Sequence, residues 1–269
     1  MLAYDFQYDS LLLSDFGCTI CSFDGSNMST ISSGSELEFT STPLSNGAYF
    51  INSGARYTGP IQTEFDICKL DICNESQNNA FFTVDEQRDI LRWLNRKQML
   101  TFSLVQEGYE NIYFQGSFNV SKIEVDDNVI GFHLVFISNR PFGYSNRETY
   151  KFTTTAADKT YVVYDISDEI GYRYVDMIIK LSGGGDLYIT NSFDGRTTII
   201  KNCVAGEIIT LKDMNISSSI EEHNKKIMND FNFRYPRVCN SYRETTNEYE
   251  FSIPCDVELS YVPIVKIGI

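Results

Sequence analysis

Long apolar runs are absent from this 269-residue sequence, and no stretch approaches the roughly 18 residues that a membrane-crossing helix requires. A membrane protein is therefore not expected. Basic residues are also in short supply, with 22 Lys and Arg against 36 Asp and Glu and a net charge of -14. Nucleic-acid affinity rests largely on neutralising phosphates, so specific nucleic-acid binding is disfavoured. A basic start followed by an apolar run is missing too: Met1 to Phe6 carry Asp5 instead, and no cleaved export signal is expected. There is no repeat of fixed period, no Gly-x-Ser-x-Gly, no Cys/His nucleophile signature and no phosphate loop ending in Gly-Lys-Ser or Gly-Lys-Thr. Only two histidines occur. His133 lies in the apolar run Gly131 to Val135 and reads as a sheet residue, and His223 stands far from it in sequence. Acidic pairs such as Asp126-Asp127 and Glu221-Glu222 sit in turn or surface contexts, where solvated charge is the ordinary state. No catalytic residue, cofactor or metal follows from these patterns.

Aromatic residues are plentiful, with 19 Phe and 17 Tyr, and such side chains suit pleated, half-buried surfaces. At about 150 residues per domain, the length predicts two domains. Cysteines number seven, an odd count that fits thiols in a reducing compartment better than a disulfide framework. The sequons at Asn27, Asn74, Asn119 and Asn215 then carry no meaning, because glycosylation belongs to a secretory route.

Thr83 and Glu86 form a capping box ahead of Ile90, Leu91, Trp93 and Leu94, which predicts a helix from Thr83 to Lys97. Its i, i+4 series Arg88, Arg92 and Arg96 makes a basic stripe that Asp85 and Asp89 only partly offset. These three arginines are the candidate interface residues, weighed against a simply solvated face. Strands are predicted at Glu36 to Thr40, Leu100 to Leu104, Ile112 to Val125 and Val129 to Ile137. Ile61, Thr63, Phe65 and Ile67 alternate with polar residues until the apolar parity changes at Cys68, which predicts a bulge or bend. Ser41 to Pro60 is rich in Ser, Asn, Gly and Pro and reads as loop or an extended excursion. The polar segment Tyr144 to Tyr150 is the candidate linker, placing the domain boundary near residue 146.

Beyond it, strands at Asp176 to Leu181, Leu187 to Thr190, Thr197 to Lys201, Glu207 to Leu211, Arg234 to Asn240 and Glu248 to Ile253 alternate with turn chemistry such as Gly183 to Asp186, Asp194-Gly195 and Ala205-Gly206. This spacing predicts a β-sandwich. A short helix is expected between Ser219 and Met228, weakened by Asn224 and Lys225. Cys18, Cys21, Cys68 and Cys73 invite a zinc reading. However, separations of three and five along a strand put each pair on opposite faces, which favours buried thiols. Glu110 to Gly116 nearly matches an engineered protease-cleavage site, yet it continues the strand alternation on both sides and reads as native sequence.

The opening Phe6-x-Tyr8-Asp9-Ser10-Leu11-x-Leu13-Ser14-Asp15-Phe16-Gly17 resembles the start of the phage distal tail protein (Dit-type) family. So does Gly108-Tyr109-x-x-Ile112-Tyr113-Phe114-x-Gly116-x-Phe118, with Asn139-Arg140-Pro141-Phe142 closing the first domain. The second half resembles the same family's outer domain through Gly185 to Asn191, Asp194 to Thr198, Phe231 to Tyr235 and Tyr261-x-Pro263. The resemblance implies a mainly β chain: an N-terminal ring-forming β domain with one α-helix (residues 1–146), then a galectin-like β-sandwich (147–258). It implies that a C-terminal strand, 259–269, returns to the first domain. It further implies a structural tail-tip or baseplate hub protein, a homo-oligomeric (hexameric) ring that passes DNA and is made and assembled in the host cytoplasm. The implied partners are the tail tube protein, the tail hub or tail-associated protein, the tape measure protein and receptor-binding proteins, with no enzymatic activity. The alternatives are a glycan-binding adhesion module and, last, a wall hydrolase, for which no paired carboxylates stand out.

Overall fold

Alternating apolar and polar side chains place most of the chain in antiparallel strands. A computed structural model describes residues 3–23, 36–44, 47, 50–70 and 81–268. The chain divides into two units, residues 1–145 with 265–269, and residues 146–264.

In the first unit, the strands among the described residues are β1 (Asp5–Tyr8), β2 (Leu11–Leu12), β3 (Cys18–Cys21), β4 (Leu37–Pro43), β5 (Phe50–Tyr57), β6 (Gln62–Lys69), β7 (Leu100–Val105), β8 (Ile112–Val125), β9 (Asn128–Ser138) and β10 (Gly143–Ser145), joined by a short 3-10 helix (Leu13–Phe16) and one α-helix, α1 (Val84–Leu94). Seven strands form a sheet in the order β2-β1-β7-β8-β9-β6-β3, and β10 pairs with β8. Inward-facing rings dominate its core: Phe6, Phe65, Phe102, Phe114, Phe118, Phe132 and Phe136 are all buried. The helix begins where the capping box predicts, with the Thr83 hydroxyl accepting from the Glu86 amide and the Glu86 carboxylate accepting from the Thr83 amide. It buries Ile90, Trp93 and Leu94. The Trp93 ring stacks between Phe6 and Phe16, with centroids 5.5 and 4.4 Å away, and Trp93 Nε1 donates to the Tyr8 carbonyl at 2.8 Å.

The second unit holds β11 (Glu148–Thr153), β12 (Thr160–Tyr164), β13 (Gly171–Tyr174), β14 (Asp176–Leu181), β15 (Gly185–Asn191), β16 (Arg196–Cys203), β17 (Ile208–Lys212), β18 (Asn215–Ser218), β19 (Arg237–Asn240), β20 (Thr246–Phe251) and β21 (Cys255–Tyr261). Two one-turn helices, α2 (Glu221–Asn224) and α3 (Ile227–Asp230), follow β18. A sheet ordered β11-β21-β14-β17-β18 and another ordered β12-β20-β15-β16 contribute to one core, with Met177, Ile179, Leu259 and Val257 from the first and Leu187, Ile189, Tyr249 and Phe251 from the second. The ribbon β13-β19 completes the set. The fold is mainly β in two domains, and the second is a β-sandwich.

Several expectations need correction. The helix stops at Leu94 rather than Lys97 because Asn95 leaves helical geometry, at φ -80 and ψ 76. No bulge interrupts β6: its register with β9 runs unbroken to Cys68 opposite Gly131. The parity change has another cause. A Cβ on Gly131 would meet the Phe23 ring at 2.6 Å, so Phe23 covers the outer face there and Cys68 is buried beneath it. The polar segment Tyr144 to Tyr150 is mostly strand: Tyr144 and Ser145 pair with Tyr113 and Ile112, and Glu148 to Tyr150 pair with Tyr261 to Leu259. That pairing holds Leu259 to Tyr261 in the second unit, so the segment returning to the first begins at Val265 and not at Leu259. Its Gly268 carbonyl accepts from the Tyr109 hydroxyl at 3.2 Å. The short helix is split at Lys225 and Lys226 into α2 and α3. Cys73, Asn27, Asn74 and the middle of Ser41 to Pro60 lie outside the described residues.

Candidate functional site

Three features stand out against the two cores. The first is the hairpin β4-β5. The Ser-, Asn- and Gly-rich excursion is a paired ribbon, in register from Leu37 opposite Tyr57 to Pro43 opposite Phe50, with one irregularity between Thr40 and Ser41. Among the described residues its two strands pair only with each other, and isolated two-stranded ribbons are marginal in water. Nonetheless it exposes Phe39, Phe50, Ile51 and Leu37, at 61, 65, 55 and 49 %. Apolar side chains on a ribbon with two open edges make a surface suited to being covered.

The second feature is a cleft of about 480 Å³ lined by Val84, Gln87, Arg88, Leu91, Arg92, Asn95 and Lys122. It brings together two of the three predicted interface arginines and adds a cation that sequence spacing missed, since Lys122 arrives from β8. Arg92 lies 3.5 Å from Asp89, a loose exposed pair. Val84 at the rim is 79 % exposed. Arg96 is elsewhere: it falls beyond the helix end, so its i, i+4 relation to Arg92 lapses. Its Nε donates to the Trp93 carbonyl, and its own carbonyl accepts from the Ser117 hydroxyl.

The third feature was invisible in the sequence. Cys203 at the end of β16, Glu207 after the Ala205-Gly206 turn and His223 on α2 place their ligand atoms within 4.8 Å of one another, all buried. His223 Nδ1 lies 2.5 Å from Glu207 Oε1, which also accepts from the Ser218 hydroxyl. The Val204 amide donates to Glu207 Oε2 at 2.8 Å. On the other side of the ring, His223 Nε2 has no hydrogen-bond partner among the described residues and faces Asp230 Oδ2 at 3.6 Å. Burial pushes the Cys203 thiol up to about 12, and the carboxylates of Glu207, Asp186 and Asp230 add to the effect.

The other candidates behave as structure. By the pairing register, Cys18 shares a face with Ile67 and Lys69, whereas Cys21 shares the opposite face with Asp66 and Cys68. The hydrogen bond to Cys68 pushes the Cys21 thiol up. These three thiols do not converge on a metal position. His133 sits within β9, its Nδ1 2.8 Å from an Asp66 carboxylate oxygen on the neighbouring strand. Asp126 and Asp127 form the β8-β9 turn with φ of 49 and 64, the mirror-image turn that suits a tight hairpin. Ile112 and Tyr113 pair with β10 and Phe114 to Gly116 with β7, so the segment is strand.

Both units of this two-domain β chain match known family models. Residues 1–140 match the model of a phage tail protein N-terminal domain and residues 142–261 that of a phage tail C-terminal domain. The chain belongs to this family of phage tail proteins. Among solved structures it is similar to SPP1 Dit (gp 19.1), described as a paradigm of the hub adsorption apparatus in phages infecting Gram-positive bacteria. The match has a TM-score of 0.64 at 10 % identity and covers 96 % of this chain and 98 % of that one. At this identity the likeness establishes the fold, which is that of a phage distal tail protein. No curated protein matches the chain, and among the described residues no helix is long and apolar enough to cross a membrane.

Proposed function

We propose that this phage tail protein is a hub component of the tail tip: a closed ring, of six copies, that joins the tail tube to the adsorption apparatus and lets DNA pass. The exposed β4-β5 hairpin carries the reading. Phe39, Phe50 and Ile51 have no cover among the described residues, and contact of one surface patch with a different patch on the next copy closes into a ring when the rotation per subunit allows. Family membership supports tail location, and the end-to-end fold likeness to a hub protein supports the tip. The cleft of Arg88, Arg92 and Lys122 takes an acidic neighbouring segment in the assembled tail, since close charge pairs at an interface are worth far more than solvated ones. A net charge of -14 suits a lumen that DNA must cross without adhering, with acidic side chains facing the channel. The tail tube, tail hub, tape measure and receptor-binding proteins are the partners this role calls for, and none of it requires enzymatic chemistry. The second, galectin-like unit serves attachment.

Negative-stain imaging and native mass of the purified protein test the reading together. Closed rings of six with a central hole are expected, and a Phe39→Ser/Phe50→Ser variant with unchanged circular dichroism is expected to remain monomeric. A monomer at high concentration that also fails to join purified tail tube ends would overturn it.

A further inference from the structure

Cys203, Glu207 and His223 hold one thiol, one carboxylate and one imidazole in a space their ligand atoms share to within 4.8 Å. That donor set is the one zinc-like ions select. We propose that these three residues bind a divalent, thiophilic transition-metal ion that clamps the β16-β17 turn to α2. Charge is the first argument. Glu207 is fully buried, Asp230 is partly exposed at 18 %, and the imidazole is the one group in the cluster that can carry positive charge. A buried carboxylate calls for a compensating cation, and a bound dication supplies it.

The imidazole gives the second argument. With a proton on Nδ1, as the 2.5 Å contact to Glu207 requires of neutral histidine, Nε2 becomes a buried acceptor facing the Asp230 carboxylate, acceptor against acceptor. Metal at Nδ1 reverses the tautomer. Nε2 then carries the proton and points it toward Asp230, 3.6 Å away, in the order of the carboxylate–histidine–metal relay found behind most metal-bound histidines. Asp230 is itself fixed by Asn202 Nδ2 at 2.8 Å. On the metal side, Glu207 Oε2 is held by the Val204 amide, while Oε1 faces His223 Nδ1 and is the oxygen that would turn to the ion as their direct contact opens, with the Ser218 hydroxyl beside it bordering the fourth position. Binding displaces the Cys203 proton to solvent. Cys203, Glu207 and His223 are 5, 0 and 7 % exposed, so a substrate has no path to the ion and its role is structural.

The full-length protein, purified without a metal-affinity tag, is assayed for bound zinc and then reconstituted with Co²⁺. About one equivalent of metal per chain is expected, as for a structural site, with a thiolate-to-cobalt charge-transfer band. Cys203→Ser, close in size to the native residue, is expected to erase the band while leaving the fold intact by circular dichroism. Asp230→Asn keeps every ligand and is expected to weaken cobalt binding about tenfold, as loss of an outer partner does. Absence of both zinc and a charge-transfer band in the folded native protein overturns the proposal. So does a band that survives Cys203→Ser and disappears in Cys68→Ser, which would put the metal in the first unit.

Discussion

Replacing Trp93, the chain's single tryptophan, tests whether α1 is fastened to the first sheet by the contacts described above. The side chain is 2 % exposed and lies between Phe6 and Phe16. Trp93→Phe keeps a ring in that slot but deletes the donor 2.8 Å from the Tyr8 carbonyl. A buried acceptor left without its partner costs about 1–3 kcal/mol. The volume of the missing ring atoms adds about 1 kcal/mol at roughly 24 cal/mol per Å³ of residual cavity. The total is about 3 kcal/mol, and at about 2–4 °C per kcal/mol for a domain of 150 residues or more, the first unit's melting temperature falls by about 6–12 °C. Trp93→Ala loses the stacked ring as well and costs about 5 kcal/mol, the upper end for a buried aromatic. Differential scanning calorimetry follows the units in each variant, and tryptophan fluorescence of the unsubstituted protein, whose one fluorophore lies in the first unit, identifies which transition is that unit's. A shift under about 2 °C for Trp93→Phe, or an equal shift in both transitions, would refute the reasoning.

Gly116→Ala should destabilise the first unit by about 1–3 kcal/mol or more through overpacking, since its new Cβ would collide with the Phe136 ring and lie 2.5 Å from the Ile137 carbonyl oxygen. Gly59→Ala, which meets nothing within 4 Å, is the control in the same denaturant titration. In the second unit, burial pushes the Asp194 carboxyl up, but the Arg196 amide at 3.0 Å and Arg237 at 2.6 Å more than offset it and hold it below its ordinary value of 3.8. A lowered folded-state value stabilises fully above the unfolded value and is lost as pH falls through the folded one. Asp194→Asn should therefore cost about 1.5–3 kcal/mol at pH 7, with the difference from the native protein shrinking below about pH 4 in urea melts across that range. Arg88→Glu/Arg92→Glu should leave the first unit's melting temperature within about 2 °C, because both side chains lie outside its core, yet abolish assembly in the mass measurement. Intact rings from that variant would remove the cleft from the interface.

What could be read from the sequence was whatever depends on neighbours along the chain. The Thr83/Glu86 capping box marked the start of α1, and Asp126-Asp127 and Asp194-Gly195 marked turns, because caps and turns are satisfied within a few residues. Features set by distant pairing were hidden. Ser41 to Tyr57 has the polar, glycine-bearing composition of a loop, and only its cross-strand register makes it part of a ribbon with Leu37 to Thr40 of the expected strand. Glu148 to Tyr150 reads as linker until Leu259 to Tyr261 supplies the partner strand. Cys68 signalled a change of parity whose cause, the Phe23 ring over Gly131, comes from outside the strand. The Cys203, Glu207 and His223 cluster is the extreme case. Cys203 and Glu207 merely flank a turn, and His223 belongs to a helix too short and too poor in periodicity to orient it by pattern. The three meet because β17 and β18 carry the chain out and back and leave α2 beside the β16-β17 turn. A donor set assembled in this way has no motif spacing to detect, so its chemistry is accessible only through the fold that brings the residues together.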